Sequence, residues 1–297
     1  MIEELNAQHA IGEWLRFHKG SGGLVTARIE TENSSGEVTL HGAQVISWTP
    51  TGQEPVIWLS DSSHFRPDKA IRGGIPICWP WFGEHASDPD KPSHGFARTR
   101  QFSVERTYQL VDGGCGIELR LCNAKETDNH WPDAFALSLM VEMGKTLSVQ
   151  LTMHNTSKSE ATYGAALHSY VRVGDVEQVT VTGLAKTVYL DKVEGFVRKL
   201  QEGAAEIRGE TDRVYLETKD ALVLVDPVLE RKLRITKRGS LTTVLWNPGA
   251  EKARAMEDFD DEGYRNTPCI EAATAFDDQI DVAAGDRHTL GTEISVE

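Results

Sequence analysis

The sequence has neither a long apolar run nor an excess of basic residues. No stretch approaches the roughly 20 apolar residues that a membrane-spanning helix needs. The first residues, MIEELNAQHAIGEWLRF, start acidic and have no unbroken apolar core of the kind found in a signal peptide. The net charge is −14 at pH 7, whereas proteins that bind nucleic acid or anionic membranes need a basic surface. We therefore expect a cytoplasmic protein that binds neither nucleic acid nor membrane.

Cysteines are few, and none is paired with another at short spacing. The four are Cys78, Cys115, Cys122 and Cys269, with no Cys-x-x-Cys pair. This pattern indicates neither a zinc site nor a disulfide framework, and free thiols in a reducing cytosol are the simplest interpretation. The ten histidines show no His-x-His or His-Glu-x-x-His spacing, so we expect no metal.

The common motifs of cofactor and nucleophile chemistry are also missing. No Gly-x-Gly-x-x-Gly opens a helix after a strand, no phosphate-binding Walker loop is present, and no Gly-x-Ser-x-Gly surrounds a serine. What remains is acid–base chemistry without a cofactor.

The chain contains many short segments with the pattern of β-strands. Its 297 residues are 39% hydrophobic and 26% charged, which is ordinary for a soluble globular protein. Residues 1 to about 17 form the best helix candidate, and after Gly22-Gly23 short apolar segments follow, bounded by Gly, Pro, Asn or Ser. In one of them Ile117, Leu119 and Leu121 alternate with polar residues, which predicts a strand with one face exposed to solvent.

No helix–strand unit repeats, so we predict an all-β fold: a large antiparallel β-sandwich with a short N-terminal helix, in a single domain of residues 1–297. The predicted strands are 24–29, 38–40, 45–48, 56–59, 102–111, 117–121, 135–143, 146–153, 165–173, 179–181, 214–217, 221–225, 233–235, 242–246, 270–275 and 290–296.

The stretch from Lys69 to Arg98 is too rich in Gly and Pro for a helix or a strand, and too apolar for a disordered linker. Long irregular segments of this kind are usually binding loops. Arg72 and Arg98 bracket it, and Trp79, Trp81 and Phe82 lie between them. Flat apolar faces suit a sugar ring, and guanidinium groups suit a phosphate. The alternative is a buried structural loop whose arginines bind backbone carbonyls.

His168 and Glu271 are the candidates for acid–base chemistry. Strand alternation in GAALHSYVRV places His168, with Tyr170 and Arg172, on the face opposite the core, which is either bulk solvent or a cleft. Glu271 has apolar or small neighbours on both sides in TPCIEAATAF, so its carboxylate is either desolvated or paired, for example with an arginine. Desolvation raises the pKa of a carboxyl group and makes it a better base near neutrality.

Six motifs, in this order, resemble those of the hexose-6-phosphate mutarotases of the galactose-mutarotase-like superfamily. They are KAIRGGIPICWPWFG, SHGFAR, LHSYVRV, TDRVY, VLWNPG and CIEAA. The resemblance extends from about His41 to Ala273, and the IRGGIP and HGFAR blocks are specific. It implies a β-sandwich fold and interconversion of the α and β anomers of a hexose 6-phosphate, with glucose 6-phosphate as the expected substrate and no cofactor.

The resemblance also implies roles for individual residues. His168 would protonate the ring oxygen and Glu271 would take the proton from the C1 hydroxyl, which requires a protonated His168 and an ionised Glu271 at the start. Arg72 and Arg98 would contact substrate, and Asp212 would accept a hydrogen bond from a sugar hydroxyl. Two further candidate contacts precede Arg98: His94, and Ser93, which stands where many family members have glutamine.

Two other functions fit parts of this pattern. An epimerase of free aldoses would use the same chemistry, but a neutral sugar does not need two guanidinium groups. A non-catalytic carbohydrate-binding protein on the same fold would bind sugar without turnover, and it would need neither His168 nor Glu271. We expect a monomeric enzyme whose partner is a small sugar phosphate.

Overall fold

The computed structural model of the chain describes residues 1–123 and 131–297, and most of its regular structure is β-strand. Within these described residues the α-helices are α1 (Ile2–His9) and α2 (Gly249–Ala255), and the 3₁₀ helices are Ser21–Gly23, Ala97–Thr99, Gly263–Asn266 and Phe276–Asp278. The strands are β1 (Leu15–Lys19), β2 (Val25–Glu30), β3 (Ser34–Thr39), β4 (Gln44–Pro50), β5 (Ile77–Cys78), β6 (Ser103–Gln109), β7 (Cys115–Cys122), β8 (Phe135–Met143), β9 (Leu147–Asn155), β10 (Ala161–Tyr163), β11 (Ala165–Leu167), β12 (Thr180–Thr182), β13 (Val188–Asp191), β14 (Val197–Leu200), β15 (Ala205–Glu206), β16 (Thr211–Tyr215), β17 (Leu222–Asp226), β18 (Arg231–Arg238), β19 (Thr242–Asn247), β20 (Cys269–Thr274), β21 (Ile280–Val282) and β22 (Arg287–Val296).

Three sheets hold nearly all of these strands. The nine-stranded sheet has the order β15-β12-β17-β18-β22-β9-β8-β7-β6, the seven-stranded sheet β14-β13-β16-β19-β20-β11-β5, and the four-stranded sheet β1-β2-β3-β4. Neighbouring strands run antiparallel throughout them, for example β8 with β9 and β19 with β20. The predicted antiparallel sandwich is therefore confirmed.

The main core lies between the seven-stranded and the nine-stranded sheets. Leu245 and Ile270 of the first sheet share one cluster of buried side chains with Leu151 and Leu290 of the second. Strands β8 and β9 show why this sequence forms such a layer. On both, buried positions alternate with partly exposed ones, as expected for strands with one face on a core.

The N-terminal helix is shorter than predicted. Helix α1 ends at His9, where Ala10 takes an extended conformation, and Gly12 then adopts a left-handed φ of 52°. Leu15 and Phe17 are buried on alternate positions of β1. Their period of two, rather than the helical period, determines the structure after residue 9.

Two predicted strands are also interrupted. Residues 56–59 make only isolated bridges, from Ile57 to Val171 and from Leu59 to Gly73. The segment predicted from 165 to 173 continues as β11 only to Leu167, because the Ser169 amide donates to the Leu167 carbonyl in a tight turn. Among the described residues, no helix has the length and apolarity needed to cross a membrane.

Candidate active site

The loop from Lys69 to Arg98 is attached to the seven-stranded sheet through β5. Ile77 and Cys78 pair with Leu167 and Ala166 of β11, so the loop passes directly beside the residue that follows β11, His168. The loop needs its glycines. Gly95 has a φ of +72°, and a Cβ there would lie 2.0 Å from the Trp79 carbonyl oxygen, so no other residue fits.

The aromatic side chains of this loop have different roles from those predicted. Trp79 and Trp81 belong to the main hydrophobic core, where Trp79 packs against Phe96 and Phe135. Only Phe82 lines the open cavity beside the loop. The expectation that all three rings offer flat faces to a sugar is therefore wrong for the two tryptophans, which stabilise the loop instead.

A cavity of about 590 Å³ opens where the loop meets the seven-stranded sheet. Its walls contain all the polar and charged side chains that the sequence and the resemblance singled out for the site: Arg72, Ser93, His94, Arg98, His168, Asp212 and Glu271. Residues far apart in the chain thus meet in one place, of the size that holds small-molecule ligands.

His168 lies in this cavity and not in bulk solvent, so the cleft is the correct one of the two environments that strand alternation allowed. Its amide donates to the Pro76 carbonyl over 3.1 Å, and its ring stacks on Tyr170 with centroids 4.8 Å apart. Burial, together with the nearby Arg72 and Arg98 guanidinium groups, lowers the pKa of His168 to about 3. The imidazole is therefore neutral in the free site.

Glu271 lies on the interior strand β20 of the seven-stranded sheet and is only 1% exposed. Its Oε1 is 3.4 Å from His168 Nε2, while Oε2 has no hydrogen-bond partner in the described structure. The neighbour is thus a histidine and not the arginine of the alternative interpretation. Burial raises the pKa of Glu271 well above its usual value; the nearby Asp212 carboxylate raises it further, and Lys192 partly opposes this.

Together these shifts favour the neutral arrangement of the pair, in which Glu271 carries the proton. The expected starting state, a protonated His168 and an ionised Glu271, is the reverse of the one that burial favours in the free site. The physical reason is desolvation, which penalises both charged groups.

Asp212 is held by Lys192, a residue that sequence reasoning missed. Lys192 follows β13 directly, its amide donates to the Asp212 carbonyl, and its Nζ lies 2.7 Å from Oδ2 of Asp212. Asp212 Oδ1 is buried and has no partner in the described structure. One carboxylate oxygen is therefore fixed by the lysine, and the other is free to accept a hydrogen bond from a ligand.

The two arginines are not equivalent. Arg72 donates from Nε to Asp258 over 3.2 Å and from Nη1 to the Tyr170 hydroxyl over 3.1 Å. Arg98 donates to the Ser93 carbonyl over 2.7 Å, and among the described residues no carboxylate lies within ion-pair distance of it. Arg72 is therefore ion-paired and held in place, whereas the positive charge of Arg98 is available to an anion.

The remaining predicted contacts also line the cavity. Ser93 offers its carbonyl to Arg98, as described above. His94 adopts a left-handed φ of 63° and accepts a hydrogen bond from the Gly83 amide at Nδ1. Burial lowers its pKa well below the usual value, so its ring is neutral. Trp246, which sequence reasoning also missed, meets the His168 ring edge to face at 5.9 Å and forms a flat wall beside it.

Comparison with known proteins gives a consistent result. The family model described as aldose 1-epimerase matches residues 25–295. A protein of Escherichia coli (strain K12) with the provisional name glucose-6-phosphate 1-epimerase is 37% identical over 241 residues, which are 81% of this chain and 80% of the relative. A protein of Cenchrus ciliaris with the same provisional name is 36% identical over 250 residues, 81% of this chain and 75% of the relative.

Solved structures agree. A crystal structure from Salmonella typhimurium, described as a provisionally assigned mutarotase (YeaD), superposes with a TM-score of 0.91 at 31% identity. The superposition covers 100% of this chain and 99% of the other.

Proposed function

The chain belongs to the aldose 1-epimerase family, and we propose that it interconverts the α and β anomers of a hexose 6-phosphate, with glucose 6-phosphate as the preferred substrate. The observation that carries the proposal is the contact between His168 Nε2 and Glu271 Oε1 at 3.4 Å, inside a cavity that also holds the available charge of Arg98. We further propose that the enzyme acts as a monomer in the cytoplasm.

The reaction follows from the positions of two protons. In ring opening Glu271 takes the proton of the C1 hydroxyl while His168 gives a proton to the ring oxygen, the C1–O5 bond breaks, and an aldehyde forms. Rotation about C1–C2 presents the other face of the carbonyl. In closure O5 attacks C1, His168 takes the O5 proton and Glu271 protonates the carbonyl oxygen. Each positioned group contributes roughly 10²- to 10⁴-fold to the rate.

The protonation of the free site corresponds to one half of this cycle. A protonated Glu271 beside a neutral His168 is the state that ring opening leaves and that ring closure needs. Ring opening needs the other state of the pair, in which the proton is on His168 and Glu271 is ionised. Because Arg72 and Arg98 lower the pKa of His168, a phosphate bound beside Arg98 would offset their charge and raise that pKa. The substrate phosphate would thereby favour the protonated histidine that starts the reaction.

The test is the rate of anomer interconversion for glucose, galactose and their 6-phosphates, measured by NMR exchange or polarimetry. We expect kcat/KM to be highest for glucose 6-phosphate and to fall for the free sugars. Equal values for phosphorylated and free sugars would instead support an epimerase of free aldoses. Binding of the sugars without any acceleration would leave a carbohydrate-binding protein.

A further inference from the structure

The orientation of the His168 imidazole is not fixed in the way that is usual for a histidine that moves protons. The N–H bond and the lone pair of an imidazole lie in the ring plane, so this plane determines where a proton can be delivered. Such a ring is commonly oriented by a hydrogen bond at its second nitrogen. In His168, Nε2 lies 3.4 Å from Glu271 Oε1, but Nδ1 is buried and has no hydrogen-bond partner among the described residues. Other contacts must therefore hold the ring.

Aromatic rings pack against the imidazole. The Tyr170 ring stacks on it with centroids 4.8 Å apart and planes 16° apart, and Trp58 in turn stacks on Tyr170 at 5.7 Å and 25°. Trp246 meets His168 and Tyr170 edge to face, at 5.9 Å and 6.1 Å. Stacked and edge-to-face arrangements are the ones that aromatic pairs prefer. The face of the imidazole therefore rests on Tyr170, and Trp246 restricts its movement from the side.

Hydrogen bonds fix Tyr170 at both its side chain and its backbone. Arg72 Nη1 donates to the Tyr170 hydroxyl over 3.1 Å. The Tyr170 amide donates to the Gly74 carbonyl over 2.9 Å, and the Tyr170 carbonyl accepts the Trp58 amide over 3.0 Å. The side chain is 1% exposed. The surface on which the imidazole rests is therefore itself fixed.

The IRGGIP block supplies the backbone carbonyls that align the two stacked residues. The Gly74 carbonyl accepts the Tyr170 amide, and the Pro76 carbonyl accepts the His168 amide over 3.1 Å. Gly74 has a φ of +69°, and a Cβ there would lie 2.2 Å from the Val45 carbonyl oxygen, so no other residue fits. This block therefore holds His168 and Tyr170 in register with each other.

We propose that Tyr170 is a positioning residue, which holds the plane of the His168 imidazole so that Nε2 faces the Glu271 carboxyl group and the ring oxygen of the substrate. The inference rests on the proposed function, since it concerns the proton that His168 transfers. Among the described residues Tyr170 does not line the cavity, so it acts through His168 and not by touching the substrate.

A purely structural role makes a different demand on this position. Tyr170 belongs to a cluster of buried side chains that also contains Trp58 and Phe259. Filling space in such a cluster requires only an apolar side chain of about the right size. Positioning requires a flat ring against the imidazole, because a displacement of about 1 Å at a reacting group can cost about a hundredfold in rate.

Two substitutions of Tyr170 separate these roles in the rate of anomer exchange of glucose 6-phosphate. Tyr170→Phe keeps the ring and removes only the hydroxyl, so kcat should stay near the wild-type value. Any change should be in KM, since Arg72 loses a partner and lines the cavity. Tyr170→Leu also lacks the hydroxyl but has no flat ring, so its kcat should be about ten- to a hundredfold below that of Tyr170→Phe, at a similar KM.

Tyr215 provides the matched control. It is completely buried, its hydroxyl donates to Gln201 over 2.7 Å, and it does not line the cavity. Tyr215→Leu should therefore lower the melting temperature, as Tyr170→Leu does, and leave kcat unchanged.

NMR measures the orientation of the imidazole without relying on activity. The ring protons of His168, assigned by their absence from His168→Asn, should be shifted to high field by the ring current of Tyr170. This shift should persist in Tyr170→Phe and be lost in Tyr170→Leu. Loss of the shift together with the fall in kcat would support positioning.

Equal kcat in Tyr170→Phe and Tyr170→Leu, or a lowered melting temperature with kcat and ring-proton shifts unchanged, would overturn the proposal in favour of a structural role. If Tyr170→Leu does not fold, wild type and Tyr170→Phe decide: His168 protons without the high-field shift in either protein would overturn it. If the proposed function fails, exchange is absent from wild type and all variants, while the ring-proton shifts still show whether Tyr170 orients His168.

Discussion

His168 Nε2 and Glu271 Oε1 lie 3.4 Å apart, and both side chains are almost completely enclosed, with 10% and 1% of their side-chain surfaces exposed. At this distance the two groups are strongly coupled electrostatically, so the protonation of one depends on that of the other. Burial raises the pKa of Glu271 and lowers that of His168 to about 3, so the neutral arrangement is favoured in the free protein. An acid and a base that share a single proton are what reversible ring opening and closure require, since each half of the cycle uses one of the two arrangements.

If the pair acts as a unit, removing either member should remove most of the catalysis. Glu271→Gln and His168→Asn should each lower kcat for anomer exchange by at least about a hundredfold, the scale of general acid–base catalysis. The double variant should be little slower than either single variant, because the two groups act on the same step. Exchange measured by NMR at near-normal rate in either single variant would rule out the assigned role.

Stability should depend on pH through the same two residues. The pKa of Glu271 is raised on folding, so between its unfolded value of 4.5 and the raised value the unfolded chain loses a proton that the folded protein keeps. Wild-type stability therefore falls as pH rises through this range, by up to about 1.4 kcal/mol per pH unit. Glu271→Gln removes the ionisation, so its melting temperature relative to wild type should increase with pH.

His168→Asn provides the comparison of opposite sign. The pKa of His168 falls from 6.5 to about 3 on folding, so wild-type stability declines as pH falls through that interval. The advantage of His168→Asn should accordingly grow toward acid pH. Thermal unfolding of wild type, Glu271→Gln and His168→Asn between pH 4 and pH 9 measures both trends. If the differences in melting temperature between variants and wild type were the same at every pH, the burial of these charges would be contradicted.

Much of the site could be predicted because its chemistry is encoded locally. Alternation along a predicted strand places His168 opposite the core, in solvent or in a cleft, and the apolar neighbours of Glu271 predict a carboxylate that is either desolvated or paired. The residues that were missed have no such local signal. Lys192 is one lysine after one short strand, and only the pairing of β13 with β16 brings it to Asp212.

The errors have a common physical origin. Trp79 and Trp81 were assigned to ligand binding because an irregular loop gives no period from which burial can be inferred, and tertiary packing placed them in the core. The strand at Leu15 and Phe17 was assigned to a helix because its few residues also fit an imperfect helical period. The periodicity of apolar residues predicts long strands such as β8 and β9 well, but it predicts short elements poorly.

The two arginines should respond differently to substitution. Charge-assisted bonds to a phosphate are each worth about 1.5–3 kcal/mol, so Arg98→Ala should raise KM for glucose 6-phosphate roughly ten- to a hundredfold and leave slow turnover of free glucose almost unchanged. Added salt should weaken the binding of the phosphorylated substrate and leave the binding of free glucose unchanged. Arg72→Ala should instead lower the melting temperature, because it leaves Asp258 without its partner. Equal losses in kcat/KM for glucose and its 6-phosphate in Arg98→Ala would defeat the phosphate assignment.

Lys192 should set the pH range in which Glu271 works. Lys192 lowers the pKa of Glu271, whereas Asp212 raises it. Lys192 and Asp212 form an ion pair with each other at 2.7 Å. Removing the positive charge in Lys192→Met leaves the Asp212 carboxylate unopposed, so the pKa of Glu271 should rise further.

Activity declines at alkaline pH when Glu271 loses the proton that it shares with His168. The alkaline limb of the profile of kcat/KM should therefore move to higher pH in Lys192→Met, and it should move to lower pH in Asp212→Asn. Lys192→Arg keeps the charge and should restore the wild-type profile. A merely structural role for the lysine predicts a lower melting temperature with the alkaline limb unmoved, and that combination would refute the electrostatic one.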